Sequence, residues 1–153
     1  MKKVLWLDPA RIEFKIVSSS GLKGIVGGRW DIDNRRPVAD SMKYRSIVEH
    51  FAKGVRWQDT ELFCDVYARR LASGEVLRRT TTLDGLAEAY KRQVDAIFDS
   101  MARDGFKAGS SMPTLLIGRA GEVFIGNQGN HRLAMAHVLG LKEFAGDVVC
   151  RHP

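Results

Sequence analysis

The chain has 153 residues, 44% of them apolar and 27% charged, a balance that excludes a disordered or fibrous protein and suits one domain with its own core. Its net charge of +6 favours acidic partners such as nucleotides or nucleic acid. Two cysteines, Cys64 and Cys150, show no CxxC spacing, which excludes a disulfide framework and a zinc knuckle.

The start, Met1 to Leu7, begins like a signal peptide, but Asp8-Pro9 ends its apolar run too early for an h-region. No window reaches the ~20 apolar residues of a membrane span. The expectation is a cytoplasmic protein with no membrane partner.

Three blocks follow in order. The first, residues 1–30, is strand-rich: Lys3 to Leu7, then Ile12 to Val17 with Ile12, Phe14 and Ile16 alternating. The glycines of Gly24 to Asp31 read as a turn beside arginines.

The second block, residues 41–104, reads as three amphipathic helices. Ser41 caps the first, which carries Tyr44, Ile47, Val48 and Phe51 and stops at Gly54. Thr60 caps the second, with Phe63, Val66, Tyr67 and Leu71 inward, closing at Gly74. In the third, Leu83, Leu86, Tyr90, Val94, Ile97 and Met101 recur at three and four; Thr81 and Asp84 stand as a capping box and Gly105 as the stop.

The third block, residues 113–152, is strand, strand, helix, strand. Thr114–Gly118 and Glu122–Asn127 flank the turn Arg119-Ala120-Gly121; a helix runs from Asn130 to Leu139 and stops at Gly140; Asp147 to His152 is a last strand. The whole is an α+β single domain over 1–153, with a small mixed sheet and about four helices.

Chemistry concentrates at Gln128-Gly129-Asn130-His131-Arg132. Unpaired N–H groups and the macrodipole at a helix start favour an anion. Gly129 permits a close backbone approach, Asn130 is a good N-cap, and His131 and Arg132 add side-chain donors that match phosphate oxygens. Arg119, Arg151 and His152 are candidate supporting cations. Asp59, Glu61 and Asp65 form an acidic group able to hold Mg2+, with Glu61 and Asp65 four apart on one helical face. His131, Glu61 and Glu122 are the candidate catalytic groups: His131 neutralises charge on a transferred phosphoryl group and a carboxylate orients the acceptor. His50, His131, His137 and His152 show no i, i+4 pair, so a di-histidine metal site has no support.

The run Gly121 to Ile125, then Gly129-Asn130-His131-Arg132-Leu133-Ala134-Met135-Ala136, Leu139-Gly140-Leu141 and Val149-Cys150-Arg151-His152, resembles the ParB/sulfiredoxin-like superfamily, within it uncharacterised ParB-like proteins. The resemblance covers about Pro113 to His152. It implies a fold whose glycine-to-arginine corner, Gly129 to Arg132, grips nucleotide phosphates, with a nucleoside triphosphate and Mg2+ as the implied cofactor. Sulfiredoxins place a reactive cysteine directly before the His-Arg pair. Here Asn130 stands there, which removes that activity. Many relatives carry an acidic residue before the glycine; Gln128 replaces it and leaves no metal-holding group at that spot. Members differ in activity, so fold does not settle function. Three readings result: a nucleotide-binding phosphotransferase or switch, a non-catalytic DNA- or RNA-binding or regulatory protein, and a nuclease.

Overall fold

A computed structural model describes residues 3–153, so the basic start Met1-Lys2 lies outside the described residues. The elements are β1 (Lys3–Leu7), β2 (Phe14–Ile16), β3 (Gly24–Ile25), α1 (Trp30–Asp33), β4 (Arg35–Pro37), α2 (Met42–Lys53), α3 (Ala68–Ala72), α4 (Leu83–Asp104), β5 (Thr114–Ile117), β6 (Val123–Ile125), α5 (Asn130–Leu139) and β7 (Phe144–Arg151). The architecture is α+β. No described helix is long and apolar enough to cross a membrane.

One mixed sheet runs β1-β7-β5-β6-β2-β4, with β3 paired to β7. β1 lies antiparallel to β7, from Lys3 opposite Val148 to Leu7 opposite Phe144. β5 lies parallel to β7 across a bulge at Leu115/Leu116 and forms the expected hairpin with β6. The crossover from β6 to β7 is α5.

The two faces of the sheet are unequal. One carries the main core, in which Leu115, Val123, Ile125 and Phe144 meet Ile47, Leu86, Tyr90 and Leu133 from the helices. The other carries a small cluster of Ile16, Leu116, Phe124 and Cys150 under Trp30. α5 lies deepest. Four consecutive residues, Leu133 to Ala136, are buried, so it has no solvent face over that turn and shows little amphipathicity.

The helices follow the sequence in outline and depart from it at their ends. Ser41 and Gly54 bound α2 as expected, Gly54 in the left-handed conformation. α4 is capped by Thr82, whose hydroxyl accepts from the Gly85 N–H at 3.0 Å, and not by Thr81 with Asp84. Ile97 leaves the apolar stripe and is exposed. The second helix opens as a π-helical stretch, Leu62–Tyr67, before α3, and Thr60 donates back to the Trp57 carbonyl at 2.7 Å. Polar bonds tie these helices together: a buried one from Tyr67 to Tyr90 at 2.7 Å, and half-buried ones from Trp57 Nε1 (2.9 Å) and His50 Nε2 (3.1 Å) to Asp95. α1, β3 and β4 fall where only a turn was legible.

Candidate phosphate corner

α5 begins where β6 ends. Gly129 caps it with φ at +92°, and a Cβ there would stand 2.4 Å from Pro113 Cβ, so both conformation and packing demand glycine. The cap is Gly129 and not Asn130, because a left-handed residue already turns the chain. Asn130 is instead the first helical residue, and its Nδ2 donates to the Gly126 carbonyl at 3.0 Å, fastening the loop. No side chain caps the helix start. Its first N–H groups therefore receive no side-chain acceptor from the cap, and no capping side chain offsets the positive end of the dipole.

A cavity of about 230 Å3 opens at this point, lined by Lys43, Ile97, Asn127, Asn130, His131 and Arg132 along with Gly129. No carboxylate lines it. The Arg132 guanidinium is fixed by the Ser111 carbonyl at 2.6 Å. The His131 ring lies edge-on to Tyr90 with centroids 6.3 Å apart. Burial, with Lys43 and Arg78 nearby, pushes its pKa down to about 4, so it is neutral at pH 7.

A pH test follows from that shift. The folded value lies below the unfolded ~6.5, so protons favour the unfolded chain once the pH drops. His131 withholds no stability above about pH 6.5 and removes about 3 kcal/mol as the pH falls to 4. Chemical denaturation of His131→Gln across this window is expected to show a flatter profile than wild type; parallel profiles would refute the assignment.

The other candidate cations are elsewhere. Ile117 pairs with Arg151 and Thr114 with Asp147, whereas Gly126, leading to the corner, bonds the Thr114 carbonyl at 2.8 Å. Arg119, Arg151 and His152 therefore stand at the far end of β5 and β7, roughly 10 Å away at ~3.3 Å per residue. Arg119 is also committed: its backbone N–H and guanidinium grip the fully buried Asp31 at 2.7 to 3.0 Å, and Nη2 donates to the Gly28 carbonyl at 2.6 Å. The guanidinium holds the Asp31 carboxyl well below the usual carboxylate range. His152 Nε2 donates to the same Gly28 carbonyl at 3.1 Å. This is a latch that holds α1 to the hairpin turn.

The carboxylate candidates do not reach the corner either. Glu61 is bound by Arg45 through two bonds of 2.8 and 2.9 Å, and Asp59 by Arg56 at 2.9 Å. Glu61 precedes and Asp65 falls within the π-helical stretch Leu62–Tyr67, and the Glu61 carboxylate is already occupied by Arg45. Among the described residues no three His, Cys, Asp or Glu side chains are grouped to hold a metal ion. Glu122 accepts from the Ala120 N–H at 3.2 Å inside the hairpin turn, at the latch end. The structure thus gathers Gly129, Asn130, His131 and Arg132 and separates them from Arg119, Arg151, His152, Asp59, Glu61, Asp65 and Glu122.

The chain matches no protein family, curated protein or solved structure. Sequence reasoning missed Lys43, Asn127 and Ile97. The spacing of Ile97 points to the core, and Lys43 carries no local signal, since it reaches the corner only because α2 packs on α5.

Proposed function

We propose that the Gly129–Arg132 corner binds the phosphate of a nucleotide or related phosphoester, as the resemblance to ParB/sulfiredoxin-like proteins implies. The observation that supports this is an uncapped helix start opening into a cavity with Lys43 and Arg132 on its wall and no carboxylate. A volume of about 230 Å3 falls below the ~300 Å3 at which pockets begin to enclose whole small molecules. It suits phosphoryl groups, with a nucleoside lying outside. Binding alone is supported, because Glu61 is held by Arg45 and Glu122 sits in the hairpin turn, and any Mg2+ would arrive with the nucleotide.

Calorimetry with ATP, CTP, GTP and inorganic pyrophosphate, with and without Mg2+, tests it. Lys43→Gln is expected to weaken binding by roughly tenfold, the scale of one charged hydrogen bond. Binding should also take up a proton between pH 4 and 6.5, since an anion favours charged His131. No heat from any of the four ligands would end the proposal. Nucleic-acid binding is the second reading, favoured by the +6 charge and by exposed Arg11, Arg69, Arg79 and Arg92. It predicts nucleotide-independent binding that weakens steeply with salt.

A further inference from the structure

The opposite end of α5, about 15 Å from the phosphate corner at ~1.5 Å per residue, borders a cavity of about 580 Å3. Apolar side chains form most of its wall: Pro9, Ile12, Phe14, Val38 and Leu141. Its volume lies inside the ~300–1,000 Å3 of small-molecule sites, and its few polar groups converge, the arrangement such sites use for orientation.

The polar groups share one character. His137 Nε2 faces the Pro9 carbonyl at 2.7 Å, and a carbonyl only accepts, so this nitrogen carries the proton. In the neutral ring Nδ1 is then an acceptor, and Tyr44 must donate its hydroxyl proton to it at 2.8 Å. Tyr44, which lines the cavity, is left with acceptor lone pairs alone. Asp8 and Glu13 also line the cavity, against a single cation, Lys142. The wall includes Ala136, His137 and Gly140, the last turn of α5, where the helix dipole is negative. Tyr44 and Phe14 add aromatic rings suited to a cation.

We infer that this cavity is a binding site for a small organic ammonium, an apolar body with a protonated amine whose N–H groups donate to Tyr44 and whose charge is met by Asp8, Glu13 and the α5 C-terminus. The site is independent of the phosphate corner and differs from it in sign. It is unusual in a chain of net charge +6, whose surface at large repels cations.

The test uses 2-phenylethylammonium as probe, with 3-phenylpropionate and 3-phenylpropanol as anionic and neutral matches of similar shape. Calorimetry, with amide NMR shifts at Tyr44, His137 and Gly140, should show the ammonium bound at least tenfold more tightly than either match. Glu13→Gln, an exposed position with no packing role, should weaken it severalfold. Tyr44→Phe should do the same, with its Tm followed to separate lost binding from lost fold. Pyrophosphate should not compete. Equal binding of all three compounds, or ammonium binding unchanged in both variants, would overturn the inference. So would a lysine side chain in a Gly-Gly-Lys-Gly-Gly peptide binding where the free amine does not, which would make the occupant a protein.

Discussion

Gly129→Ala is expected to be the most damaging single-methyl change in the protein, lowering stability by about 3 kcal/mol and the Tm by roughly 10 °C. Two costs add. The left-handed backbone disfavours any Cβ, and the new methyl would meet Pro113 Cβ at 2.4 Å and its Cα at 2.8 Å, neither of which is the free end of a flexible side chain. Gly140→Ala supplies the control. Its φ is +64° at the other end of the same helix, but nothing lies within 4 Å of the added carbon, so only the backbone strain of about 1 kcal/mol applies. Thermal melts of the two variants should therefore separate clearly. Equal losses would show that Pro113 yields and that the corner is not held as tightly as its geometry implies.

Arg119→Met should lower the Tm by a similar amount, roughly 10 °C, and should also weaken a pH dependence. Asp31 is wholly buried, and the guanidinium is its counter-charge. In the native protein the carboxyl is held below its unfolded value, so its contribution is present above about pH 4 and is lost as the pH falls through the folded pKa. Without the guanidinium, burial opposes only the Arg119 backbone N–H and the nearby His152, so the carboxyl moves back up toward its ordinary value. Most of the native contribution at neutral pH is then missing from the variant. The stability gap between the two proteins should widen from pH 3 to pH 7. A gap that stays constant would mean the buried carboxylate finds another partner. Asp31→Ala should cost less than Arg119→Met, because the freed arginine can turn to water while the freed aspartate cannot.

What the sequence disclosed is local. β1 and α5 have the predicted bounds because an apolar run before Asp8-Pro9, and a helical stretch closed by Gly140, are written in adjacent residues. The glycine at 129 was legible as a special backbone position, though its strictest requirement comes from Pro113, sixteen residues earlier in the chain. Less visible were features fixed by distant partners. Asp31 and Arg119 are 88 residues apart, and nothing around either announces the pair. Segments 24–25 and 35–37 are strands only because β7 and β2 offer them free edges. The Asp59, Glu61 and Asp65 group yields no metal cluster among the described residues, because Arg45 and Arg56, from elsewhere in the chain or the turn before, take up Glu61 and Asp59. Of the proposed site, the four contiguous residues of the corner line one cavity together. The cations and carboxylates assigned to it from afar do not, since counting along a chain says nothing of which end of a strand a residue occupies.

The pairing of β1 with β7 carries a lesson for how this protein is made. Leu5 meets Gly146 in the finished sheet, so β1 leaves the ribosome long before its partner is translated. For most of synthesis a sticky Lys-Val-Leu-Trp-Leu segment has no mate. Val4 and Trp6 remain about half exposed even when it does. Closing so long a loop is slow, and an orphan strand of this composition is a seed for association between nascent chains. Biogenesis should therefore depend on chaperone capacity more than final stability would suggest.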